Sequence, residues 1–190
     1  MTKIHGWQAL TPFRVLVVPG LHNSGADHWQ SRWQRLHPAM ERVQQDDWDQ
    51  PRLDAWSARL DQLRGEDERP TLFVAHSFGC LTTVASIQRY PDHVAGLLLV
   101  APADPVKFGV ADALPHTVLP CPSIVVASSD DPWMALTDAA SWARRWGSEF
   151  TDIGPLGHIN ADSGLGDWPA GQQYLLTLAH RARLGAAVAG

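Results

Sequence analysis

The chain has 190 residues, of which 45% are hydrophobic and 18% charged, with a formal net charge of -5. That is enough for one domain whose core needs neither disulfides nor a structural metal. The acidic balance and the absence of Lys/Arg clusters exclude a nucleic-acid surface, and Cys80 and Cys121 alone exclude a disulfide framework or cysteine-rich zinc site.

Short β-rich runs alternate with helical patterns throughout. "MTKIHGWQAL" has no signal-like apolar region, and residues 1–12 read as an extension before the first strand, "FRVLVVPG" (13–20). In "ADHWQSRWQRL" (26–36), Trp29, Trp33 and Leu36 fall at helical spacing, with Asp27 as the expected N-cap. "ERVQQDDW" (41–48) is a weaker strand, and "RLDAWSARLDQL" (52–63) an amphipathic helix. "TLFVAH" (71–76) is a strand and "FGCLTTVASIQRY" (78–90) a helix stopped by Pro91. "VAGLLLVAP" (94–102) and "SIVVAS" (123–128) are buried strands, and "MALTDAASWARRWG" (134–147) is a helix with Gly147 as C-cap. "SEFTDIG" (148–154) is a short last strand, "AGQQYLLTLAHRARL" (170–184) a closing helix, and residues 185–190 a fraying tail. Val/Ile/Leu-rich strands separated by helices predict one three-layer α/β/α domain on a mostly parallel sheet of about six strands. No apolar run approaches membrane-spanning length, so the chain is expected to be cytoplasmic.

The chemistry centres on "LFVAHSFGCL" (72–81), where a strand gives way at once to a helix around Ser77. A sharp turn there lifts the side chain beyond the carboxyl end of the strand and presses backbone segments together. Small residues are needed two positions either side, here Ala75 and Gly79. This is the nucleophile-elbow pattern with Ala in place of the first Gly. The bland alternative is a serine that merely caps the helix.

A serine hydroxyl needs a base to take its proton and an acid to orient that base, in the chain order serine, acid, histidine. "SIVVASSDDPW" ends a strand at Asp130-Asp131, and "DIGPLGHIN" places His158 in a glycine-containing loop. His22 and His28 precede the serine, His93 and His116 precede the acid, and His180 lies inside the last helix.

Together "VVPG", "FVAHSFG", "ASSDDPW" and "GHIN", with the early "SGADHWQSRW" and "DDWDQP", resemble the small serine hydrolases of the retinoblastoma-binding-protein-9 and YdeN-like family, within the α/β-hydrolase superfamily. The resemblance runs from about Phe13 to the last helix and implies Ser77 as nucleophile, His158 as base and Asp131, the second aspartate, as acid. It carries no implication of retinoblastoma binding, because the L-x-C-x-E motif is absent; Leu119-Pro120-Cys121-Pro122-Ser123 ends in serine.

The oxyanion hole is expected from the backbone N–H groups of Phe78 and Leu21. "VVPGLHNSG" lacks the Gly-Lys-Ser/Thr of a phosphate loop, and His22 and His28 have no third ligand at metal-binding spacing, so neither cofactor nor metal is expected. Most of the nine tryptophans read as packing; Trp133, after the acid, and Trp29 and His22 are expected to line the substrate pocket. Residues 103–122 are too short and too proline-rich for a helical cap, which predicts an open site. These features predict a cofactor-independent serine hydrolase acting on a small ester, thioester or amide, nearer an esterase than a peptidase. The rival is a non-catalytic α/β-hydrolase-fold binding protein, which would have no need of all three residues.

Overall fold

The computed structural model describes residues 5–189. Its sheet has six strands, β1 (Arg14–Val18), β2 (Glu41–Arg42), β3 (Thr71–His76), β4 (Val94–Val100), β5 (Ser123–Ala127) and β6 (Glu149–Asp152). Their order is β2-β1-β3-β4-β5-β6, and every pairing is parallel. Five helices surround it: α1 (Trp29–Leu36), α2 (Leu53–Arg64), α3 (Phe78–Arg89), α4 (Leu136–Trp146) and α5 (Pro169–Ala189).

Strand side chains alternate between faces, and both faces are apolar. Leu16, Val18, Phe73, Ala75, Leu97, Leu99 and Val125 face α2, α3 and α4, where Trp56, Leu60, Leu81 and Trp142 cover them. Val15, Val17, Leu72, Val74, Leu98, Val100 and Ile124 face α1 and α5, meeting Trp29, Trp33, Leu175 and Leu178. Two cores, one on each side of one sheet, make the expected three layers. Trp33 is fully buried in the second of them, and truncating it to alanine would cost about 3–5 kcal/mol.

The structure departs from the sequence reading at several element ends. Helix α1 begins later than expected, because His28 is its N-cap in place of Asp27; the His28 Nδ1 accepts the Gln30 N–H at 3.2 Å. Strand β2 shrinks to two residues, Glu41 and Arg42, in register with β1; one more backbone bond, from the Val43 N–H to the Val17 carbonyl, ends the contact. The segment expected to fray is helical, as α5 continues to Ala189. Residues 1–4 of the expected extension lie outside the described residues, while His5–Leu10 forms a 3-10 turn that buries Leu10.

Between β4 and β5 there is a turn near Pro105–Gly109 and the 3-10 turn Ala111–Ala113, so among the described residues no helical cap is inserted there. Among the described residues, no helix is long and apolar enough to cross a membrane. The parallel register aligns Val18 with Ala75, His76 with Val100, and Ala127 with Asp152. The loops that leave these carboxyl ends therefore share one rim, the usual location for reactive groups in an open α/β sheet.

Candidate active site

Ser77 joins β3 directly to α3 with φ 53 and ψ -125, a region that L-residues seldom occupy. The turn is tight because it is wedged against the loop after β1. A Cβ on Gly79 would lie 2.2 Å from the Val18 carbonyl oxygen and 2.5 Å from that of Pro19, so only glycine fits. Although Ser77 occupies the N-cap position, its hydroxyl makes no capping bond, which removes the helix-cap explanation. Its Oγ instead lies 2.9 Å from His158 Nε2.

On the far side of the ring, His158 Nδ1 sits 2.8 Å and 3.0 Å from the two carboxylate oxygens of Asp131. The Asp131 side chain is only 3% exposed and that of His158 12%. Asp131 Oδ1 also accepts the Trp133 N–H at 2.9 Å, which fixes the carboxylate against its own loop. Asp130 faces another way: its Oδ1 accepts the Ser128 hydroxyl at 2.8 Å and the Gly157 N–H at 2.7 Å. These two bonds hold its carboxyl below the ordinary carboxylate range.

The loop that carries His158 is pinned at successive residues by side chains from distant elements. The Leu156 N–H donates to Ser128 Oγ at 2.9 Å, and the Leu156 carbonyl accepts from Ser163 Oγ at 2.6 Å. The His158 carbonyl lies 2.9 Å from His76 Nε2, and the Ile159 carbonyl accepts from Trp29 Nε1 at 2.8 Å. Ile159 itself adopts φ 47, a left-handed conformation that this network holds in place.

Leu21 lines the cavity above Ser77, and among the described residues its N–H makes no hydrogen bond within the protein. The Phe78 N–H belongs to the first turn of α3, where backbone donors have no helical partner. Gly20 brings the two segments together, since a Cβ there would lie 3.1 Å from Phe78 N. A developing oxyanion between these two amides would meet two donors.

The cavity over Ser77 has a volume of about 580 Å³. Leu21, Ala103, Phe108 and Trp133 give it apolar walls, and His22, His28, His76 and Asn160 contribute polar edges. A second hollow of about 460 Å³ lies across Trp133, His158 and Asn160, which line both. Trp133 is 61% exposed and forms the partition. Lys107 Nζ donates to its carbonyl at 2.7 Å, linking the loops after β4 and β5 at the rim.

Of the expected pocket residues, His22 and Trp133 line the cavity. Trp29 does not. It is buried beneath the site against Trp33 and Trp168, with its indole N–H used by Ile159. His28, His76, Lys107, Phe108 and Asn160 also line the cavity, where sequence reading does not place them; it weighs His28 only as a base and as a metal ligand. His28 and His76 are buried neutral imidazoles: burial, the Arg42 charge and the His158 charge lower His28 to about 4. Burial, then His28 and His158, hold His76 well below the ordinary histidine value. Among the described residues, no three His, Cys, Asp or Glu side chains converge to hold a metal ion.

The profile of the serine hydrolase family matches residues 15–177, and the chain belongs to that family. A YdeN-like hydrolase from Pectobacterium atrosepticum is 35% identical, with 92% of this chain and 95% of that one covered and a TM-score of 0.89. The ydeN gene product of B. subtilis is 20% identical, with 87% and 98% covered and a TM-score of 0.73. N-formylmaleamic acid deformylase from Pseudomonas putida shares the fold at 13% identity, with a TM-score of 0.63 and coverage of 85% and 92%. No curated protein sequence matches the chain.

Proposed function

We propose that this hydrolase is a cofactor-independent serine esterase that works through Ser77, His158 and Asp131. The observation that carries the reading is the continuous contact from Ser77 Oγ to His158 Nε2 at 2.9 Å and from His158 Nδ1 to Asp131 at 2.8 Å. Asp131 accepts a hydrogen bond from Nδ1–H and so holds the tautomer that leaves Nε2 free to act as base. Ser77 Oγ attacks the ester carbonyl as its proton moves to Nε2, and the carbonyl oxygen becomes an oxyanion held by the Leu21 and Phe78 amides. The tetrahedral adduct collapses, the C–O bond to the leaving group breaks, and the imidazolium returns the proton to the departing alkoxide. Water then attacks the acyl-enzyme by the same route and restores the serine.

A cavity of about 580 Å³ with apolar walls suits a small acyl or aryl ester. The open rim and missing cap support a small molecule over an extended peptide. A fluorophosphonate should label the protein, and peptide mapping should place the adduct on Ser77. Ser77→Ala should abolish labelling and lower ester hydrolysis on the order of 10³-fold or more. Wild-type turnover by a folded Ser77→Ala protein would overturn the reading.

A further inference from the structure

We infer that His76 is a positioning residue for His158, an assignment that rests on the serine-hydrolase reading above. Two consecutive residues of one strand end grip opposite parts of His158. Ser77 Oγ meets its ring at 2.9 Å, and His76 Nε2 meets its backbone carbonyl at 2.9 Å. The other anchors of the loop are Ser128 and Asp130 after β5, Trp29 on α1, and Ser163 in the following 3-10 turn. Those anchors fix the loop relative to its neighbours. Among the described residues, His76 is the backbone anchor that ties this loop to the strand leading into Ser77.

The chemistry of the contact is determined by its acceptor. A carbonyl oxygen can only accept, so His76 Nε2 carries a proton, and in the neutral ring Nδ1 then carries none. The ring is 5% exposed, with the His28 ring against it at a centroid distance of 4.7 Å and 69° and the His158 ring at 5.0 Å. His28 is itself fixed, because its Nδ1 accepts the Gln30 N–H. A buried imidazole wedged between two others is best suited to the neutral donor form. The three rings form a run from the start of α1 to the nucleophile, and its last member is the base.

The Ser77–His158 separation must stay near hydrogen-bond length while the proton moves in both directions. A misplacement of about 1 Å can cost about 10²-fold in rate. Losing the His76 donor should therefore lower kcat more than it changes KM, because Nε2 is spent on the His158 carbonyl although the ring borders the cavity.

The test compares His76→Gln, His76→Asn and His76→Leu with wild type on p-nitrophenyl butyrate, alongside the rate of fluorophosphonate labelling and the melting temperature. A Gln amide can reach the position of Nε2 and donate; an Asn amide is too short; Leu has no donor. His76→Gln should stay within about threefold of wild type, while Asn and Leu should lose about 10- to 100-fold in kcat and in labelling rate, with KM within about twofold. If His76→Leu does not fold, Gln against Asn still decides. Equal kcat in folded Gln and Asn variants, or a change confined to KM or to melting temperature, would overturn the assignment. A wild-type protein that neither labels nor hydrolyses would instead overturn the serine-hydrolase reading and leave His76 with no base to position.

Discussion

Gly20 and Ser77 come so close that a methyl group on Gly20 would sit 2.6 Å from Ser77 Cβ. The same methyl would crowd the His76 carbonyl oxygen at 3.0 Å and Phe78 N at 3.1 Å. None of these atoms belongs to a flexible chain end. Gly20→Ala should therefore push the Leu21 and Phe78 amides apart, lowering kcat/KM on the order of 10²-fold, the effect of losing one oxyanion donor. Destabilisation should be about 1–3 kcal/mol. Gly79→Ala meets backbone at 2.2 Å and should yield little folded protein. Ester kinetics and urea denaturation separate the two cases; a fully active Gly20→Ala enzyme would show that the oxyanion site lies elsewhere.

The two adjacent aspartates have distinct partners, His158 for Asp131 and Ser128 with Gly157 for Asp130. Asp131→Asn keeps the shape but offers an amide to Nδ1, so the tautomer is lost and kcat should fall about 10⁴-fold. Asp130→Asn leaves that contact alone and weakens only the grip on Gly157 and Ser128, for a loss of about tenfold or less. Steady-state kinetics on the two variants tests the order, and its reversal would move the acid to Asp130.

Acid should destabilise the fold well above the range where carboxylates titrate. His28 is held at about 4 in the folded protein against 6.5 ordinarily. Between those values the unfolded chain binds a proton that the folded protein refuses. The His28 contribution is therefore level above about pH 6.5, falls as pH drops toward 4 and flattens below it. By pH 5 the loss from His28 alone should be about 2 kcal/mol, and His76 acts in the same direction. Urea denaturation at pH 7.5 and pH 5 measures the fall. The double variant His28→Gln, His76→Gln should flatten the slope, and an unchanged slope would assign the acid sensitivity to other groups.

Substrate size should reflect the missing cap. On p-nitrophenyl esters, kcat/KM is expected to peak at acyl chains of roughly two to six carbons, because an open pocket gains little of the ~0.8 kcal/mol per methylene beyond its depth. Trp133→Ala removes the wall between the two hollows and should cost butyrate about 5- to 20-fold, with acetate affected less. A preference for acyl chains of about twelve carbons would mean that the tryptophan surface does the enclosing.

The sequence was most legible where a single local pattern decides the outcome. Strand β3 (Thr71–His76) has the predicted limits, Gly147 closes α4 in the left-handed conformation, and the elbow follows from Ala75, Ser77 and Gly79. Ser77, Asp131 and His158 could be picked out because each lies in the turn or loop beyond the carboxyl end of a strand, and the structure brings the three into contact. Trp29 was misjudged because helical spacing with Trp33 shows that a residue faces inward without saying what lies there; here it is Trp168 and the Ile159 carbonyl. Asp130 and His76 have partners 27 and 82 residues away, and no local pattern announces such meetings. A local hint for His76 was its place beside Ser77.

The positive φ of Ser77 has a consequence for how this protein can evolve. Its backbone conformation costs on the order of 1–3 kcal/mol for any residue with a side chain, and glycine alone escapes that cost. Selection for thermal endurance without selection for turnover would thus favour Gly at position 77, a change that removes the hydroxyl and relaxes the chain together. Reactivity and durability compete at this one residue. A screen that scores only survival of heat would tend to collect well-folded proteins that no longer react, so durable variants of this fold have to be sought with the reaction itself as the filter.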